Sequence, residues 1–289
     1  MSVILPTHNR ARVLSQAISS VLGQSFTDLE LIVVDDASTD ETDSVVSKFH
    51  DSRLVFVKKI RNEGAAAARN EGLALARGTF VAFQDSDDSF KPTKLEKQVS
   101  DLQSCSQSVG VSVCSYVHHY GDKAAVIRHH AGERKGNDVI NFLLAGGSIG
   151  TQTLVCRTQL INEIGGFDKS LPRRQDFDLC LRLAALSDFV FTEEPLVDVY
   201  NSSDSISENP TAFIDATEIL VAKHSSLFDA RPSCAARQYA KAARHFLVKG
   251  YRRASISYAW HSILLDINLR ALAIVLLSVL PLRTSRWFL

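Results

Sequence analysis

Phe80-Val81-Ala82-Phe83-Gln84-Asp85-Ser86-Asp87-Asp88 joins two opposite characters in one short run. Four apolar residues are too few for a helix and show no polar alternation, so they read as a strand buried on both faces. Three carboxylates follow almost at once. The same change of character occurs upstream. Residues 3–5 run into Pro6-Thr7-His8-Asn9-Arg10, residues 29–34 into Asp35-Asp36-Ala37-Ser38-Thr39-Asp40, and residues 54–57 into Arg61-Asn62-Glu63-Gly64. Helical patterns lie between these strands, at 11–22, 40–49 and the alanine-rich 64–76. Strand and helix in alternation predict an α/β fold with a mainly parallel sheet flanked by helices, whose ligands bind outside the carboxyl ends of the strands.

Those ends converge on one mouth holding Asp35, Asp36, Asp85, Asp87 and Asp88, with Arg10, Arg61 and Arg69 nearby. Carboxylates crowded in one cleft cannot all ionise cheaply, so the cluster asks for a cation. Neither a G-x-G-x-x-G after the first strand nor a G-x-x-x-x-G-K-[ST] occurs, which argues against a dinucleotide-binding dehydrogenase and a P-loop nucleotidase. Downstream, residues 110–120 and 124–130 read as a hairpin around Gly121-Asp122-Lys123, expected at an edge of the domain. It carries His118, His119, His129 and His130, and adjacent histidines on a strand point to opposite faces. A short helix is expected at 138–144, a strand at 152–156, and an amphipathic helix at 179–185 after Arg173-Arg174-Gln175-Asp176-Phe177-Asp178. Residues 201–207 form a polar run, and the pattern from Pro210 onward is helical. The expected division is 1–209 and 210–289.

The 289 residues balance 32 basic against 32 acidic side chains, so bulk charge gives no argument for nucleic-acid binding, and none is expected. The balance hides a division. Beyond residue 230 stand Arg231, Arg237, Lys241, Arg244, Lys249, Arg252, Arg253, Arg270, Arg283 and Arg286 against the single acid Asp266, leaving the rest of the chain acidic. Cys105, Cys114, Cys156, Cys180 and Cys234 are odd in number and never spaced C-x-x-C, so reduced, buried thiols are expected rather than a disulfide framework or zinc knuckle. Residues 1–6 have no basic region and no long apolar core, so no signal peptide is expected and the compartment reads as cytoplasmic.

Six motifs in order and spacing resemble family 2 inverting glycosyltransferases of the GT-A fold, over residues 1–205. They are Pro6-Thr7-His8-Asn9-Arg10, residues 33–40, Asn62 to Gly64 with Ala68-Arg69-Asn70, residues 83–88, Gly165-Gly166-Phe167-Asp168, and Gln175-Asp176-Phe177-Asp178-Leu179. The resemblance implies a GT-A sheet with a C-terminal helical subdomain, and an enzyme moving a sugar from a nucleotide-diphosphate sugar, a UDP-sugar, to a saccharide or lipid-linked saccharide in surface polysaccharide synthesis. It implies Asp36 as the carboxylate facing the uracil, with Pro6, Thr7 and Asn9 as the wall beneath the base. Arg10, Asn62, Arg69, Asp85 and Ser86 complete the donor site. Asp87 and Asp88 would hold Mg²⁺ or Mn²⁺ against the diphosphate, and Asp176 would be the general base. Read locally, Asp35 equally suits organising the loop at Ser38, Asp40 suits capping a helix, and Arg69 suits pairing with Asp85. Two departures are Gln175 where relatives show Glu, and Asn201-Ser202-Ser203-Asp204 where they carry Arg or His.

Residues 271–282 form an apolar run bounded by Arg270 and Arg283, short of the roughly 20 residues a membrane-spanning helix needs. With the terminal Arg286 and Trp287-Phe288-Leu289, this run suits an anchor at an anionic membrane surface, on the inner face of the cell membrane, or a buried helix of a small helical subdomain. Two other functional readings stand beside transfer. A sugar nucleotidyltransferase wants a glycine-rich basic start that Pro6 to Arg10 does not supply, and a non-catalytic nucleotide-sugar-binding scaffold has no need of intact Asp36, Asp85, Asp87 and Asp176.

Overall fold

The computed structural model describes residues 1–200, 210–266 and 269–279. The polar run at 201–207 and the terminal Arg283, Arg286, Trp287, Phe288 and Leu289 lie outside the described residues.

The chain forms two compact units, the first made of residues 1–140, 149–169 and 175–203 and the second of 141–148, 170–174 and 204–289. In the first unit the apolar runs become strands: β1 (Ser2–Thr7), β2 (Glu30–Asp35), β3 (Leu54–Lys58), β4 (Phe80–Phe83) and the short β5 (Ser89–Phe90). Then follow β6 (Val109–Tyr120), β7 (Lys123–Ile127), β8 (Gly132–Arg134), β9 (Leu154–Arg157) and β10 (Asp188–Tyr200). The helices are α1 (Ala11–Leu22), α2 (Thr42–Val46), α3 (Ala65–Leu75), α4 (Lys94–Ser104), α5 (Gly136–Leu144), α6 (Thr158–Glu163) and α7 (Gln175–Ala184).

The sheet order is β3-β2-β1-β4-β9-β6-β10-β5, with β7 on β6 and β8 on β10. β3, β2, β1 and β4 are parallel, β9 runs against β4 and β6, and β10 is parallel to β6. The carboxyl ends of β1, β2, β4, β6 and β10 therefore open on one side. Every residue of β1 and β4 is buried, as their unbroken apolar runs require of strands covered on both faces. The expected hairpin forms, with β6 and β7 antiparallel across the turn at Gly121-Asp122, and β7 has no neighbour but β6 among the described residues; the first strand is itself interior, since β9 and β10 flank its first half. Pro195 sits in the long β10 where the register to β6 shifts, the kind of bulge at which a missing N–H breaks no ladder bond.

α2 is shorter than the 40–49 pattern suggested, because Asp40 is spent on capping. Its Oδ1 accepts from the Thr42 N–H and hydroxyl, and its Oδ2 accepts from the Ala11 N–H at the start of α1. Burial opposes ionisation of Asp40, but these bonds outweigh it and hold the carboxyl below its ordinary value. The thiols follow expectation: all five cysteines are free, and Cys114, Cys156 and Cys180 are buried.

Lys94, at the start of α4, is fully buried. Its Nζ lies 4.1 Å from the Phe90 ring centroid and has no hydrogen-bond partner. Burial pushes its pKa down from 10.5 to about 8, partly offset by Cys114 and Cys156. The folded value lies below the unfolded one, so the cost of burying the charge is present in full below about pH 8 and fades as the pH rises toward 10.5. Lys94→Met is expected to raise Tm by roughly 3–6 °C at pH 7, with the gain shrinking toward pH 10. Calorimetric scans at both pH values check this, and an equal gain at both would assign the effect to packing instead of charge.

The second unit contains α8 (Pro210–Lys223), α9 (Ser225–Asp229), α10 (Pro232–Val248), α11 (Arg252–Leu265) and α12 (Leu269–Val279). Ala243 and Leu247 of α10, Ala259 of α11 and Ile274 of α12 form its small apolar core. α12 is amphipathic only in its packing: Ala271, Ile274 and Ser278 are buried, while Leu269 and Leu276 are 84% and 64% exposed.

Candidate active site

The polar strand ends gather as the sheet topology requires. Asn9, just past β1, adopts a left-handed φ of 52°, and Ala37, just past β2, a φ of 61°. The two turns are laced together: the Asn9 N–H donates to Ser38 Oγ at 2.8 Å, and Asn9 Oδ1 accepts from the Thr39 N–H at 2.8 Å. Asp35 is fully buried, and its Oδ1 accepts from the Ser38 N–H and hydroxyl, the loop-organising role read locally. Thr7 is buried with its hydroxyl lacking a partner, and Arg10 occupies the first-turn boundary of α1, half-buried.

Asp36 is buried and heavily engaged. Oδ1 accepts from Lys59 Nζ at 2.8 Å, the Glu63 N–H is shared between both oxygens, and Oδ2 accepts from the Gly64 N–H at 2.6 Å. Four contacts, two on each oxygen, meet a carboxylate with about four acceptor positions. Asp36 thus holds the loop after β3 against the end of β2. Asn62 contributes to the same loop by accepting from the Gly64 N–H at 3.1 Å, and Arg61 turns outward to Glu63. Lys59 was missed in the sequence; the pair Lys58-Lys59 at a strand end beside acidic loops was its signal.

Arg69 links what the sequence separates. It is buried on α3, where its Nη2 donates to Asp85 Oδ1 at 2.6 Å and its Nη1 to Gln175 Oε1 at 3.4 Å. Its guanidinium also lies 5.3 Å from the Phe167 ring centroid. The segment leading to Gln175 is clamped to α3 independently. Asn70 Oδ1 accepts from the Phe167 N–H and Asn70 Nδ2 donates to the Phe167 carbonyl, both at 2.8 Å. Gly166 makes this approach possible: its φ is 72°, and a Cβ there would stand 2.5 Å from Asn70 Oδ1. The Gly165-Gly166-Phe167 run is therefore a docking turn that sets where α7 begins.

Asp176 lies in the first turn of α7, half-exposed, with its Oδ1 accepting from the Phe177 N–H at 2.8 Å. Asp178 belongs to the next part of the same turn. It is fully buried and pairs with Arg182, which also donates to the Ile164 carbonyl at 2.8 Å.

The three acids after β4 differ in environment. Asp85 is committed to Arg69. Asp87 is half-exposed and has no partner among the described residues. Asp88 is buried, and its Oδ1 accepts from the Tyr200 N–H at 3.1 Å. Burial and the neighbouring charges of Asp85 and Asp87 push the Asp88 carboxyl well above its ordinary value. Ser86 is buried between them. No group of three or more His, Cys, Asp or Glu poised around one metal position occurs among the described residues. One or two carboxylates with the remaining oxygens supplied by phosphate and water is the arrangement Mg²⁺ usually takes, and Asp87 and Asp88 could serve as that pair.

The histidines fall elsewhere. His119 Nε2 lies 2.9 Å from Asp198 Oδ1, and its ring stacks on Tyr200 with centroids 4.6 Å apart. His129 is buried, and burial, with Arg134, pushes its pKa down to about 4.

The family described as "Glycosyl transferase family 2" matches residues 2–159, more than half of the chain and every element of the donor side. The chain belongs to this family. As a family 2 glycosyltransferase it is an enzyme, and its sheet is that of the GT-A fold. It is 31% identical over 201 residues to "UDP-Glc:alpha-D-GlcNAc-diphosphoundecaprenol beta-1,3-glucosyltransferase WfaP" of Escherichia coli, covering 69% of this chain and 76% of that protein. Against an uncharacterized glycosyltransferase of Rickettsia typhi, 28% identical, the match covers 68% of this chain and 62% of the relative. Among solved structures, S. aureus TarS 1-349 in complex with UDP-GlcNAc aligns with a TM-score of 0.72 at 20% identity, covering 96% of this chain and 84% of that one. The mannosyltransferase PcManGT from Pyrobaculum calidifontis in complex with GDP-Man and Mn²⁺ aligns with a TM-score of 0.62 at 19% identity, covering 95% and 78%. At these identities the structural likeness speaks to the fold alone.

Proposed function

We propose that this enzyme transfers a hexose from a UDP-sugar to a saccharide carried on a lipid, with inversion at the anomeric carbon. The observation that carries the reading is the Arg69 bridge, which ties Asp85 to Gln175, the residue before Asp176. That bridge supports reading a donor-side acid and the half-exposed Asp176 as parts of one site, as a single displacement requires. The acceptor oxygen bonds to the anomeric carbon as that carbon's bond to the diphosphate oxygen breaks. Asp176 takes the acceptor proton. Asp36 accepts from the base in exchange for one of the donors it holds in the free enzyme, with Pro6, Thr7 and Asn9 beneath the ring, while Arg10, Asn62 and Ser86 border the donor. Mg²⁺ or Mn²⁺ held by Asp87 and Asp88 would stabilise charge on the leaving diphosphate. The crowding of acids that raises Asp88 is the feature that fits a cation. The names of WfaP and of the Bacillus subtilis relative "Putative teichuronic acid biosynthesis glycosyltransferase TuaG", 43% identical over 112 residues, support a polymer-building role and, for WfaP, a lipid-diphosphate acceptor. The test is a hydrolysis and thermal-shift screen of UDP-, GDP- and dTDP-sugars with Mn²⁺: a UDP-sugar is expected to be stabilising and slowly hydrolysed, and selective response to another nucleotide would overturn the donor assignment.

A lipid-linked acceptor fits a second feature of the same reading, contact of the helical unit with an anionic membrane surface at the inner face of the cell membrane. No described helix is long and apolar enough to cross a membrane. Trp260, Leu264, Leu269 and Leu276 nevertheless present large apolar side chains to solvent, and Arg237, Lys241, Arg244, Lys249 and Arg253 of the same unit are exposed. Exposed apolar side chains and exposed cations on one helical unit are the combination that binds anionic bilayers. The double variant Leu264→Glu, Leu276→Glu is expected to reduce sedimentation with phosphatidylglycerol-containing vesicles at least tenfold without lowering Tm. Undiminished sedimentation would remove the membrane contact.

A further inference from the structure

The donor side occupies the ends of β1, β2 and β4. Along the sheet, the next strands opening on the same side are β6 and β10. Ala82, Val155 and Ser112 stand in one row across β4, β9 and β6, so Tyr116 lies past the last residues of β4, where Asp85 to Asp88 emerge. From there β6 runs on to Tyr120, held by β10 on one edge and β7 on the other.

Tyr116, His118 and Tyr120 project from one face of this extension, as alternate strand residues do. Their rings form a continuous stripe, with centroids 6.3 Å apart for the first pair and 4.3 Å for the second. The strand that carries the stripe lies beside the acids after β4: Asp88 Oδ1 accepts from the Tyr200 N–H at 3.1 Å, and Tyr200 pairs in register with His119. The stripe ends in the open at Tyr120, which is 40% exposed. On the opposite face the strand is braced. His119 bonds Asp198, Asp198 pairs with Lys91 at 2.5 Å, and the His119 ring stacks on Tyr200. The extension is thus a stiff ledge whose aromatic face leads away from the acids after β4.

We propose that this stripe is the acceptor subsite, on which pyranose rings of the acceptor saccharide stack. A pyranose offers a face of C–H hydrogens and a rim of hydroxyls; the C–H face complements the electron-rich face of an aromatic ring, and the hydroxyl rim suits nearby polar groups. The proposal rests on the transfer reading above, because that reading makes the strand ends beside Asp88 the place where an acceptor must stand.

The experiment uses the full chain saturated with UDP and Mn²⁺. Saturation-transfer NMR measures the binding of methyl glycosides of glucose, galactose, mannose and N-acetylglucosamine to the wild type and to Tyr120→Ala, His118→Ala and Tyr120→Phe. At least one glycoside is expected to bind saturably through its C–H face. Each alanine variant should weaken it about tenfold, and Tyr120→Phe, which keeps the ring, should stay within about twofold. Absence of binding by every glycoside, equal binding by the alanine variants, or equal loss in Tyr120→Phe and Tyr120→Ala would each overturn the stripe. UDP affinity, titrated calorimetrically on the same proteins, is expected to be unchanged by the variants. Failure of UDP to bind the wild type would instead overturn the donor reading, so the two failures are separable.

Discussion

In the Asp176→Asn variant the rate of sugar transfer falls about a thousandfold, inside the range that loss of a general base spans, while UDP and Mn²⁺ bind as in the wild type. Asp176 is half-exposed in the first turn of α7, where its Oδ1 accepts from the Phe177 N–H. An asparagine keeps an oxygen for that N–H, so the helix start survives. Arg69 continues to meet Asp85 and Gln175, and the donor side is untouched. What the amide cannot do is take a proton from the attacking hydroxyl. Single-turnover transfer measured beside calorimetric UDP titration separates the two effects. Turnover within tenfold of the wild type would remove Asp176 as the base.

Asp87→Ala lowers metal-dependent turnover by about 10²–10³-fold, the loss expected when stabilisation of developing leaving-group charge is removed. Stability should hardly move. Asp87 has no partner among the described residues, and substitutions at such positions usually stay within about 0.5 kcal/mol. Its neighbours behave differently. Replacing Asp85 would strip the partner from the buried Arg69, and replacing Asp88 would strip the acceptor from the Tyr200 N–H, so each would confound chemistry with folding. A Mn²⁺ titration followed by electron paramagnetic resonance, run with thermal melts, checks this. Full activity with unchanged Mn²⁺ affinity would sink the metal assignment.

Most of the donor side was legible in the chain because its signals are local. An apolar run of four to six residues buried on both faces announces a strand wherever it lies, and the residues after it necessarily stand at the strand's carboxyl end. Asp35 and Asp40 could be weighed as loop and cap residues from their spacing to Ser38 and Thr42, and both serve in those roles. What spacing did not show is that α2 stops at Val46 and that Arg61 turns outward to Glu63 instead of toward the acidic opening. The hairpin was legible, but the interior position of its first strand was not. Strand order is decided by which distant segment docks, and β9 and β10 are supplied by residues more than thirty positions downstream.

The sequence by itself determined the alternating sheet, the acidic opening, the family and the split between an acidic front and a basic tail. All of these follow from composition and short-range pattern. The tertiary structure alone decided that Asp36 spends its acceptor capacity on Lys59 and the Glu63–Gly64 backbone, that Arg69 binds Asp85 and Gln175 together, and that Asp87 has no partner among the described residues. Those outcomes depend on how charges distant along the chain share a limited set of hydrogen-bond positions once burial has removed water as an alternative partner, and that competition exists only when the strands have assembled.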